Sequence, residues 1–143
     1  MAWTAADLPS LDGTTAVVTG ANAGIGFHTA RELAAHGASV VLACRNEALA
    51  NEAAAALPGH TRVEVLDLAS QDSVRDFAAR WEGPLDLLVN NAGVMTPPRY
   101  RETADGHELM FGTNHLGHFA LTGLLLPALL SAGSPRVVTV SSI

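Results

Sequence analysis

Five short, nearly continuous apolar runs, each separated from the next by a helical segment, constrain this chain more than any other feature. They are Thr14 to Thr19 (TTAVVT), Ser39 to Ala43 (SVVLA), Arg62 to Leu66 (RVEVL), Leu85 to Val89 (LDLLV) and Arg136 to Ser141 (RVVTVS). A strand with one wet face alternates apolar and polar residues, whereas a strand covered on both faces reads as a continuous apolar run. Between the runs, apolar residues return at helical spacing. Ile25, Phe27, Ala30, Leu33 and Ala34 mark Gly24 to His36; Glu47 to Leu57 is alanine-rich; Gln71 to Trp81 is a third helix. Gly37, Pro58-Gly59 and Gly83-Pro84 end these segments. Thr96 to Glu102 reads as a loop or short helix, and Asp105 to Ser131 as mostly helical with a kink or local ending at Pro127. The expected fold is a doubly wound α/β domain over residues 13–143, preceded by a short arm, residues 1–12. Right-handed crossovers then give a parallel sheet of order 3-2-1-4-5.

Composition narrows the function. With 48% hydrophobic and 15% charged residues the chain is globular rather than disordered. A formal net charge of -6 argues against nucleic-acid and anionic-membrane partners, which need a basic face. The single cysteine, Cys44, permits neither an internal disulfide nor a thiolate zinc cluster and suits a reducing cytoplasm. The opening MAWTAADLPS lacks a basic and a long apolar region, so no targeting segment is expected. The longest uncharged stretch, Leu109 to Pro135, holds Gly112, Asn114, His115, Gly117, His118, Gly123 and Pro127, which suits a core helix better than a membrane span. All eight basic residues are arginines, lysine is absent, and Tyr100 is the only tyrosine.

The first run passes directly into Thr19-Gly20-Ala21-Asn22-Ala23-Gly24-Ile25-Gly26, where a helix begins. Gly20 permits a tight turn, Gly24 lets backbone approach a phosphate, and Gly26 lets helix and sheet pack closely. The helix start then offers free N–H groups and its dipole to a pyrophosphate. A glycine-rich turn alone also serves packing; its place between strand and helix favours a nucleotide site.

This segment resembles the TGxxxGIG fingerprint of the short-chain dehydrogenases/reductases, and four further segments resemble that family in order. They are Asp67-Leu68 after the third run, Asn90-Asn91-Ala92-Gly93 after the fourth, Asn114 to Phe119 (NHLGHF), and Val138 to Ser142. NHLGHF together with ACRN is most similar to the branch of retinol dehydrogenases and protochlorophyllide reductases. The resemblance implies a Rossmann domain and a nicotinamide cofactor held by Gly20, Asn22, Gly24, Ile25, Gly26, Asp67, Leu68, Asn91, Ala92 and Gly93. It also implies hydride transfer between that cofactor and a small-molecule carbonyl or alcohol, and a possible homo-oligomer.

NADP is favoured over NAD on chemical grounds. NAD-dependent members carry a carboxylate at the end of the second strand, where this chain has Cys44, and the next residue is Arg45, whose fork suits a 2′-phosphate. Asn46 either adds a donor there or caps the following helix. Of the family's Asn-Ser-Tyr-Lys set, Ser142 matches the serine that polarises the substrate carbonyl and Asn114 the asparagine that holds a relay water. Without a Tyr-x-x-x-Lys, which the family places after the fifth strand, these 143 residues are expected to be inactive alone. A non-catalytic nucleotide-binding module and an inactive fragment are the alternatives. His115 and His118, three apart on one helix, could bind a metal; with no third ligand they are expected to pack, and no metal site is expected.

Overall fold

The computed structural model describes residues 2–95 and 97–142. Its five strands are β1 (Thr15–Thr19), β2 (Ser39–Cys44), β3 (His60–Val65), β4 (Leu87–Asn90) and β5 (Arg136–Thr139). They form one sheet of order β3-β2-β1-β4-β5, and every pairing is parallel. The expected order is therefore the observed one. Strand pairing aligns Thr19 with Ala43 and Val18 with Val89, so the strands β1, β2 and β4 end side by side.

Alternate residues of each central strand enter opposite layers. Ala16, Val18, Val40, Leu42 and Cys44 pack with Ala30, Leu33 and Ala34 of α1 (Gly24–Ala35) and Ala50 and Ala53 of α2 (Glu47–Ala55). Val17, Val41, Ala43 and Leu88 pack with Val74 and Phe77 of α3 (Gln71–Ala79) and with Leu121, Leu125 and Leu129 on the other face. Burying one such aliphatic side chain stabilises by about 1.5–3 kcal/mol, which is why the central runs carry no polar alternation. The edge strands differ: β3 alternates in exposure and β5 is exposed throughout.

The stretch from Asp105 to Ser131, expected to be mostly helical, is helical with its start corrected to Leu109. Residues 103–108 form a turn in which Glu102 bridges Glu108, and helical backbone begins at Leu109. A π-helical segment (Phe111–Gly117) follows, then α4 (His118–Leu124) and α5 (Leu126–Leu130). The break falls at Leu125, two residues before Pro127, because that proline occupies the first turn of α5. Two glycines let the π-helical segment pack closely on its neighbours: a Cβ on Gly112 would strike Thr103, and one on Gly117 would strike the Leu68 carbonyl. Among the described residues, no helix is long and apolar enough to cross a membrane.

Candidate functional site

A cavity of about 480 Å³ lies at the carboxyl ends of the strands β1, β2 and β4, within the range of small-molecule sites. Gly20, Asn22, Gly24, Ile25, Arg45, Asp67, Leu68, Asn91, Ala92 and Gly93 all line it, so the structure gathers ten of the expected residues. Cys44, Val94, Thr113 and Val140 line it as well.

The glycine turn has the geometry its sequence implies. Gly20 has φ +64, and a Cβ there would lie 2.9 Å from Ala92 Cα. Gly24 has φ +57 with nothing within 4 Å of a Cβ position, so its backbone faces open space. Gly26 does not line the cavity. A Cβ on it would meet the Gly20 carbonyl oxygen at 2.5 Å and collide with the Asn91 side chain, which makes it the packing glycine. Helix α1 starts from Ala23 with no side-chain cap, whereas Asn46 Oδ1 accepts from Leu49 N at α2 and Ser70 Oγ accepts from Ser73 N at α3. The first N–H groups of α1 are left for whatever occupies the cavity. The Asn46 oxygen caps its helix; the donor reading concerns the amide nitrogen, which that bond does not use.

Arg45 follows directly on β2 and is exposed, and no hydrogen bond or ion pair holds it among the described residues. Burial pushes the neighbouring Cys44 thiol up from its ordinary value, against backbone hydrogen bonds with Ala21 and Asn22 that pull it down. Cys44 is therefore a thiol at neutral pH and repels no phosphate. Asp67 Oδ1 accepts from Ala69 N, which fixes the carboxylate at the rim. Thr113 stands in the wall with a buried hydroxyl that no protein group takes. Uncapped helix, open glycine backbone, unpaired guanidinium and orphaned hydroxyl together fit a phosphate-bearing nucleotide.

The stretch Asn91 to Val94 is fastened from beneath. Thr19 Oγ1 accepts from Asn91 N and Ala92 N, both at 2.9 Å, and Asn91 Nδ2 donates to the Thr19 carbonyl at 2.8 Å. Asn114 grips Val94 in both directions: Oδ1 accepts from Val94 N at 2.8 Å, and Nδ2 donates to the Val94 carbonyl at 2.9 Å. Asn114 also lines a second cavity of about 470 Å³ with Asn90, His118, Thr122, Val137 and Thr139. Ser142 lies exposed beyond the end of β5 and lines neither cavity.

The two histidines of the helical segment have separate surroundings. His115 stacks on Phe111 at 5.3 Å and is tilted toward Phe119 at 6.2 Å. His118 is buried, with Nε2 2.8 Å from Thr19 Oγ1 and Nδ1 2.9 Å from the Asn114 carbonyl. Burial pushes its pKa down, and the Asn114 hydrogen bond offsets this in part. Thr19, Thr113 and His118 were not among the expected site residues. Thr19 was legible as the first residue of the glycine motif, while nothing in the sequence ties His118 to it across 99 positions.

A model of the short chain dehydrogenase family matches residues 14–143. Human retinol dehydrogenase 13 is 46% identical over 142 residues, which cover 94% of this chain and 43% of that protein. An uncharacterised protein from Mycobacterium paratuberculosis has a crystal structure 53% identical in sequence, with a TM-score of 0.92 over all of this chain and 51% of that one. The Pseudomonas aeruginosa RhlG/NADP complex is 32% identical, with a TM-score of 0.80 over 93% of this chain and 56% of that one. The chain spans about half the length of the curated relatives it matches.

Proposed function

Since the chain belongs to the short chain dehydrogenase family, we propose that it carries the cofactor-binding part of an NADP-dependent oxidoreductase acting on a small-molecule carbonyl or alcohol. The observation that carries this reading is one cavity with two kinds of phosphate site. At one wall the uncapped start of α1 presents N–H groups beside Gly24; at another, Arg45 is unpaired and next to a thiol where a carboxylate would select NAD. A related fold binds NADP in the P. aeruginosa complex, which supports the choice. Bound NADP supplies or accepts the hydride. Asp67 and Leu68 would meet the adenine, and Gly93 and Val94 the nicotinamide end. Ser142, in this reading, polarises the substrate carbonyl. The Asn114 side chain is occupied by Val94, so it holds the loop at the nicotinamide end in place. The buried thiol suits a reducing cytoplasm.

Replacement of Arg45 tests the assignment. A charge-assisted hydrogen bond contributes about 1.5–3 kcal/mol, and about 1.4 kcal/mol is a decade of affinity. Arg45→Ala is expected to weaken NADPH binding roughly tenfold to a hundredfold in titration calorimetry and to leave NADH nearly unchanged. Equal losses for both cofactors would make the arginine structural and remove the preference for NADP.

A further inference from the structure

His118 stands between the two grips that hold the Asn91–Val94 stretch. Its partners fix how its ring is protonated. The Asn114 carbonyl can only accept, so Nδ1 must donate to it, and Nε2 is left as the acceptor. Nε2 therefore takes the hydrogen of the Thr19 hydroxyl at 2.8 Å; the competing acceptor, the Val89 carbonyl, is farther away at 3.4 Å. The two lone pairs of Thr19 Oγ1 then point at the only donors near them, Asn91 N and Ala92 N. The Thr19 hydroxyl thus has its hydrogen on the ring and its lone pairs on the two amides. A hydroxyl whose hydrogen is free to swing would share its lone pairs less well between two amides. The ring thus sets the direction of the Thr19 hydroxyl, and through it the loop that lines the cavity.

The second nitrogen acts on the other grip. Asn114 lies in the π-helical segment Phe111–Gly117, just before His118, and its side chain holds Val94. The Nδ1 bond steadies the carbonyl of the same residue. We propose that His118 is a positioning residue of the candidate cofactor site: one imidazole, with its hydrogen on Nδ1, orients the Thr19 hydroxyl that holds Asn91 and Ala92 and the Asn114 backbone whose side chain holds Val94. This rests on the reading of the cavity as a dinucleotide site.

Two conservative variants separate the arms. In His118→Gln the side-chain amide reaches the Nε2 position and can still accept from Thr19. In His118→Asn the amide nitrogen lies near the Nδ1 position and can still donate to the Asn114 carbonyl. His118→Leu keeps neither. Amide hydrogen exchange in the protein reads the loop directly. Asn91 and Ala92 are expected to exchange at least tenfold faster in His118→Leu and His118→Asn and to stay slow in His118→Gln; Val94 is expected to stay slow only in wild type and His118→Asn. NADPH affinity is expected to fall about tenfold in His118→Leu and less in the two rescuing variants. Long-range proton–nitrogen spectra of the wild-type ring are expected to show protonated Nδ1 and bare Nε2. A ring protonated on Nε2 would overturn the proposal, and so would identical exchange in the Gln, Asn and Leu variants. If the variants fail to fold, the wild-type ring spectrum still decides. If wild type binds neither NADPH nor NADH, the dinucleotide reading fails, while the exchange and ring results judge the junction separately.

Discussion

Thr19 and Gly20 are consecutive, yet they belong to regions that treat polar groups in opposite ways. Thr19 is completely buried and its hydroxyl is bonded on every side, to Asn91, Ala92 and His118. One residue on, the chain turns through Gly20 into a helix start with no cap, an open Gly24 and, across the cavity, an unpaired Arg45. A protein satisfies its buried polar groups because leaving one unpaired costs about 1–3 kcal/mol. Open groups gathered at one cavity, one residue along from a hydroxyl with no bond to spare, mark the side that a ligand completes. The other two helices starting near the same end of the sheet reinforce the contrast, since Asn46 and Ser70 close them.

The open region offers binding groups but no Tyr-x-x-x-Lys pair, and this leads to the largest expected effect. These residues include no lysine, and Tyr100 donates to Glu102 Oε1 at 3.1 Å, which with its carboxylate neighbours raises the phenol above its ordinary value. A raised phenol is a poor acid at neutral pH. A polypeptide of these 143 residues alone is therefore expected to bind NADPH without oxidising it in the presence of aldehydes or ketones. Loss of a general acid costs roughly 10²–10⁴ in rate, so absorbance of the reduced nicotinamide should not fall above background. Clear turnover would place the proton transfer on another residue.

Closing the open helix attacks the comparison directly. Ala23 already has the extended backbone of an N-cap, φ -158 and ψ 167. Ala23→Asp would cap α1 and add about 0.5–2 kcal/mol of stability, read as a higher melting temperature. The same carboxylate would take the N–H groups and repel a pyrophosphate, so NADPH affinity is expected to fall roughly a hundredfold. A variant that is more stable and binds as well would show that the α1 start is not a phosphate site. The converse, Asn46→Ala, opens a closed helix. It is expected to cost about 1 kcal/mol in denaturant unfolding and to change the ratio of NADPH to NADH affinity little, because the lost oxygen serves Leu49 N.

Legibility followed the same division. The sheet order, the buried central runs and most of the open groups, though not the Thr113 hydroxyl, could be read along the chain, because each depends on local pattern: β-branched runs, glycines at fixed spacing, an arginine directly after a strand. Asn46 was readable only as two alternatives, since donor and cap need the same residue type at the same place. The closed region was poorly legible. Nothing in the chain order points His118 at Thr19, 99 positions away, and its spacing from His115 led only to the expectation that it packs. The helical segment misled for a related reason. Its apolar content reads as mostly helical with a kink near Pro127, while the contacts of Gly112 with Thr103 and of Gly117 with Leu68 join positions distant in the chain.

The smallest expected effect tests whether the closed region is closed to protons too. Burial lowers the His118 pKa, because a protonated ring would carry a charge away from water, and the Asn114 hydrogen bond offsets this only in part. Above the ordinary imidazole value of about 6.5 the ring is neutral in the folded and unfolded chain alike, and its contribution is complete. Below that value the unfolded chain gains a proton that the folded chain resists, so stability falls until the folded-state value is passed. The buried site limits this to less than about 1 kcal/mol between pH 7 and pH 6. Asp7 and Glu108, whose carboxyls are held below the ordinary range by hydrogen bonds with Thr4 and with the Met110 and Phe111 amides, stay ionised in that interval and do not contribute. Urea unfolding at the two pH values should therefore show a small loss in the wild-type protein that shrinks in His118→Asn, where nothing titrates. A loss of the same size in both would assign the dependence to another histidine and leave the junction indifferent to acid.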